Sequence, residues 1–143
     1  MLPPPPEDEL ARRLAAVGAS LRERFGDDVV AEDGAVVRLR APAGACAVSW
    51  VQLRGEVVLQ VGTGGRWELP RDARSAGFVE DVVAAVLAGR VTEVLGPGRA
   101  AVAVTLADGR VERTSVRDHP RGCVHLPRWR PGPLRHIAYE PYE

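Results

Sequence analysis

Apolar residues recur with two different periods along this chain, and each change of period marks a new element. Leu10, Leu14, Val17 and Leu21 follow one another at spacings of four, three and four, with Arg12, Arg13, Arg22, Glu23 and Arg24 around the rest of the cylinder. This is the period of an amphipathic helix with one face on a core. Glu7, Asp8 and Glu9 favour its positive N-terminal end, and Phe25 extends the stripe before Gly26 stops it. From Val29 to Leu69 the period falls to two, which predicts strands over 29–31, 35–40, 46–53, 56–61 and 66–69. Their separators are turn-forming: Glu32-Asp33-Gly34, Ala41-Pro42-Ala43-Gly44, Arg54-Gly55 and Gly62-Thr63-Gly64-Gly65. Connections this short imply antiparallel neighbours.

The helical period returns after Pro70-Arg71-Asp72, with Asp72 or Ser75 as N-cap, and Gly89 as the stop. Phe78, Val79, Val82, Val83, Val86 and Leu87 form a broad apolar face. So many β-branched residues lower intrinsic helix propensity, so packing on a sheet must supply this helix's stability. Three more strands are predicted over 90–95, 99–106 and 110–116, with Asp108-Gly109 as a strong hairpin signal. Strands in runs with helices set apart predict an α+β fold. The expected form is one curved, mainly antiparallel sheet of six to eight strands, with two helices packed on one face. Residues 1–6 read as a proline-rich lead-in, 7–116 as a single domain, and 117–143 as a Pro/Arg-rich tail without helix or strand period.

Composition narrows the classes of function. At 143 residues and 45% hydrophobic the chain can build one core. Its 19 basic and 19 acidic side chains cancel, and no dense basic stripe is present, so no nucleic-acid partner is expected. Every basic side chain is Arg, and Asn is missing too, which is the mark of a GC-rich, actinobacterial genome. Two cysteines make no disulfide framework, and no apolar run approaches a membrane span. Met1-Leu2 before four prolines lacks the parts of a signal peptide, so a cytoplasmic protein with reduced thiols and no membrane partner is expected.

Candidate chemistry gathers in the tail. His119, Cys123, His125 and His136 could together offer four ligands to a zinc ion. Their spacing lacks the paired grammar of structural zinc sites, so no metal or other cofactor is assigned. Cys123 with His119 or His125 would be a thiolate pair, but both partners would lie on one poorly anchored segment. Cys46 reads as a small buried side chain, and Gly62-Thr63-Gly64-Gly65 as a hairpin turn with no phosphate-binding ending.

Two groups suit a protein partner instead. Asp27, Asp28, Glu32 and Asp33 form an acidic cluster fit for a basic surface. Arg128, Trp129, Arg130, Tyr139 and Tyr142 are of the types that dominate interface hot spots. Packing of the tail rings onto the chain's own sheet is the competing expectation.

The stretch from Trp67 to Val116 carries a Trp-Glu-Leu strand, a Phe-Val-Glu-Asp-Val-Val helix ending Ala-Gly-Arg-Val, and a Val-Thr-Leu-Ala-Asp-Gly-Arg hairpin. In these it resembles small actinobacterial α+β proteins that are similar in size and layout to toxin-system immunity proteins. The resemblance implies a non-enzymatic module that binds another protein, a toxin, and neutralises it by occlusion; it transfers no site residue. The alternatives are a small metal- or thiol-dependent enzyme built on the tail, and a structural subunit or chaperone of a secretion or phage-like assembly.

Overall fold

The computed structural model describes residues 7–117 and 133–143. Its elements are α1 (Glu9–Phe25), β1 (Val30–Asp33), β2 (Val36–Leu39), β3 (Val48–Gln52), β4 (Glu56–Val61), β5 (Gly65–Pro70), α2 (Ala73–Leu87), β6 (Val91–Gly96), β7 (Arg99–Thr105), β8 (Val111–Arg117) and β9 (Arg135–Ala138). The expected α+β class holds, but the single sheet does not. The strands form two antiparallel sheets, one of five in the order β1-β2-β3-β4-β5 and one of four in the order β8-β7-β6-β9.

Both helices begin and end where local chemistry dictates. Asp8 accepts from the Ala11 N–H at 2.8 Å to open α1, and Asp72 accepts from the Ser75 N–H at 2.8 Å to open α2. Gly26, with φ +89°, donates to the Arg22 carbonyl and closes α1; Gly89, with φ +75°, follows the end of α2. The buried stripe of α1 is Leu10, Leu14, Gly18 and Leu21, while α2 buries Ala76, Val79, Val82, Val83, Ala85 and Val86. Each large aliphatic side chain so buried contributes about 1.5–3 kcal/mol.

The first sheet is a meander whose inner rows face the helices. Leu59 opposes Trp50, which opposes Val37, and Val61 opposes Val48, which opposes Leu39. All six belong to the one core cluster, together with the helix stripes and Val91, Val102 and Val104 from the second sheet. Arg71 fastens one end of this assembly. Its guanidinium donates to both carboxylate oxygens of Asp8 at 3.0 and 2.8 Å, to the Leu53 carbonyl and to the Gln52 side chain. It thereby ties the start of α1 to the β3 end and to the β5–α2 junction. These hydrogen bonds, with that of the Ala11 N–H, hold the Asp8 carboxyl below the ordinary carboxylate range.

The chain divides into two sheets because β5 does not pair with the strands that follow α2. Gly64 and Gly65 bring its first turn down onto β7: a Cβ at Gly64 would collide with Ala100, and one at Gly65 would lie 3.1 Å from Val102. The Thr114 hydroxyl then donates to the Arg66 carbonyl at 2.9 Å as β5 passes β8. Strand crossing replaces strand pairing. The fourth strand of the second sheet, β9, comes from the region expected to be an aperiodic tail. It lies beside β6, the first strand of the β6-β7-β8 meander, which completes a Greek key.

Candidate functional site

The two faces of the second sheet hold very different chemistry. On the inner face, Glu93 of β6 is 1% exposed and has no cation beside it among the described residues. Such a charge is tolerated only when its oxygens are saturated with donors. It accepts from the backbone N–H of Thr63 at 3.0 and 3.1 Å, from that of Gly64 at 2.7 Å, and from the Tyr139 hydroxyl at 2.6 Å. One carboxylate therefore ties the β4–β5 turn to β6 and to the residue after β9. The turn cooperates through Gly62, whose φ is +62° and where a Cβ would lie 2.5 Å from the Glu93 carboxylate.

Of the groups around Glu93, Cys46 and Tyr142 are buried and Tyr139 is half-buried. Cys46 is fully buried; burial, then the nearby Glu93 charge, push its thiol up to about 12, against a smaller lowering by a hydrogen bond with the Gly62 backbone. It stays protonated at neutral pH and shut away from a solvent-borne substrate. Burial, then the bond to Glu93, raises the Tyr139 phenol well above its usual range, and burial does the same at Tyr142. Both act as hydroxyl donors. The Tyr142 hydroxyl gives its hydrogen to the Cys46 carbonyl at 2.6 Å, and the ring packs edge-on against Phe25. Backbone bonds from Tyr139 to Val91, Glu140 to Gly44 and Tyr142 to Leu87 fasten the rest of the segment.

Among the described residues, no helix or strand lies over the outer face of the same sheet. Side chains alternate along each strand, so the residues between the core positions point outward. On the central strand β7 these include Ala101 and Ala103. Ala103 is flanked by Arg113 of β8 and Thr92 of β6, and Ala101 by Ser115 and Val94. Two alanines between longer side chains leave a trough of about 370 Å³ along β7. His136 of β9 lies beyond Val94 in the same row, and Ala138 beyond Thr92. Thr92, Ala101, Arg113, Ser115 and His136 are all exposed.

The residues singled out from sequence are scattered among these regions. Tyr142 is buried in the seam just described and Tyr139 is partly buried there, so their rings serve the chain's own packing. Asp27, Asp28, Glu32 and Asp33 are exposed at the end of α1 and along β1. Two of the four are engaged by one arginine, with Arg22 at 3.0 Å from Glu32 and 3.8 Å from Asp27. His119, Cys123, His125, Arg128, Trp129 and Arg130 lie outside the described residues. His136 is on the open face, and among the described residues no three of His, Cys, Asp and Glu gather as a metal cluster.

Sequence reasoning passed over both Glu93 and the trough. The signal for Glu93 was present: it occupies the apolar phase of a strand, between Val91 and Leu95. The signal for the trough is the alanine pair on the polar phase of β7. No helix among the described residues is long and apolar enough to cross a membrane. Comparison with protein-family models, curated proteins and solved structures finds no match for this chain.

Proposed function

We propose that this protein is a non-enzymatic, cytoplasmic protein-binding module, an immunity protein that neutralises a cognate toxin by covering its working surface. The observation that supports this reading is the contrast across the second sheet. The reactive groups nearest one another, Glu93, Cys46, Tyr139 and Tyr142, are hydrogen-bonded within the chain, and all but the half-buried Tyr139 are enclosed. The outer face offers what a partner needs: exposed apolar floor, flanking polar groups and a rigid four-stranded platform. A rigid strand platform holds its contact groups in place before binding, so little conformational freedom is lost on association.

The test is capture from the native host with a tag on the N-terminus, followed by native mass spectrometry. A stoichiometric secreted toxin, lost when Ala103→Leu fills the trough, is the expected result. Recovery of the chain alone with a bound small molecule or metal would sink the proposal.

A further inference from the structure

We infer that the trough on the outer face of the second sheet takes an extended segment of a partner protein, apolar at its centre and acidic on its flanks. This rests on the protein-binding reading above and adds the chemistry of the partner. Shape comes first. The walls carried by β6 and β8 are two strand spacings apart, about 10 Å, with a single strand as floor. A helix with its side chains is about 10–12 Å across and would sit on the rims without reaching Ala101 or Ala103. An extended segment fits between the walls and runs along the seven residues of β7, roughly 23 Å.

Charge decides the flanks. The outward positions of the four strands include Arg99, Arg113 and His136, and not one Asp or Glu; the sheet's acids Glu93 and Glu112 belong to the opposite phase. Arg113 has no ion-pair partner among the described residues. Arg99 continues the outward row of β7 beyond Ala101. The floor of Ala101 and Ala103, with Val94 on the wall beside it, accepts an aliphatic side chain and offers nothing to a charged one.

The experiment follows the alanine methyl signals of carbon-13-labelled protein by NMR. The probes are a blocked Glu-Asp-Val-Leu-Asp-Glu peptide and its counterpart Lys-Arg-Val-Leu-Arg-Lys. Saturable shifts at Ala101 and Ala103 are expected with the acidic peptide, with binding of the basic one weaker by about ten-fold or more. Arg113→Glu should reverse that preference while leaving the melting temperature unchanged, which a merely structural role for Arg113 would not produce. Equal shifts with both peptides, shifts confined to other methyls, or none at all would overturn the inference. Methyl positions that move with protein concentration alone would give the face to a second copy and would also overturn it. If the peptides fail while Ala103→Leu still abolishes capture of the native partner, the acidic-segment chemistry falls and the binding-module reading survives. Undiminished capture by Ala103→Leu removes the face itself from the account.

Discussion

Strand β6 has two sides, and they follow opposite rules. Glu93 points inward and is held by three groups from two distant parts of the chain. Thr92 and Val94, its immediate neighbours, point outward to a face with no described element over it. The inner side places a charge where apolar residues belong and satisfies it completely. The outer side places alanines where long polar residues belong, with no described element over them. Each breaks the usual pattern of a half-buried strand, the first to join two sheets and the second to offer a surface. The comparison teaches that a misplaced residue type carries information whichever direction it points.

Substitutions can break or sharpen that contrast, and the inner side should give the larger effects. Glu93→Ala leaves the N–H groups of Thr63 and Gly64 and the Tyr139 hydroxyl without their acceptor and opens a cavity. A loss of about 3–5 kcal/mol in chemical denaturation is expected, enough to compromise folding. Gly62→Ala forces a Cβ against the Glu93 carboxylate at a positive φ and should cost about 2–3 kcal/mol by the same assay. Tyr142→Phe removes only the donor to the Cys46 carbonyl and keeps the ring, so about 1–2 kcal/mol is expected.

A smaller effect belongs to the Asp8–Arg71 pair, which is remote from both sides of β6. Asp8→Asn keeps the helix cap and removes the charge, so it isolates the ion pair. With Asp8 four-tenths exposed, the loss near neutral pH should be no more than about 1 kcal/mol. The folded carboxyl is held below its unfolded value. The pair's stabilisation is therefore present above about pH 4 and disappears as the pH falls through the folded value. The gap between the melting temperatures of the two proteins should narrow as the pH is lowered below about 4; a gap that does not change with pH would refute this account. At the bottom of the scale, Arg113→Glu or Ala103→Leu on the outer side should change stability by less than about 0.5 kcal/mol. A clear loss of melting temperature in Ala103→Leu would mean that the trough is part of the packing.

The helices were legible because their signals are local. The stripe from Leu10 to Leu21, the acids before it and Gly26 after it lie within a few turns of one another, and the same holds from Asp72 to Gly89. The meander of the first sheet was legible for the same reason, each strand being joined to the next by a tight turn. The division into two sheets was not, because it depends on Gly64 and Gly65 passing close over Ala100 and Val102, a contact with no local signature. β9 was missed because four residues with one inward aliphatic, Ile137, show too little alternation to register. Glu93 could have been noticed by its phase, but its three donors come from positions about 30 residues before and 46 after it.

The Tyr142 hydrogen bond spans 96 residues, and it sets an order in time as well as in space. During synthesis the helices, the first sheet and the β6-β7-β8 meander all emerge before residues 135–143 exist. Until those residues arrive, Glu93 lacks its phenol, the Cys46, Gly44 and Leu87 carbonyls lack their donors, and one edge of β6 is unpaired. The nascent chain to that point therefore has β6 as an additional open sheet edge, the kind of edge that pairs with the wrong strand. The seam can close only after those residues are made, and any pause in synthesis before them lengthens the interval of exposure.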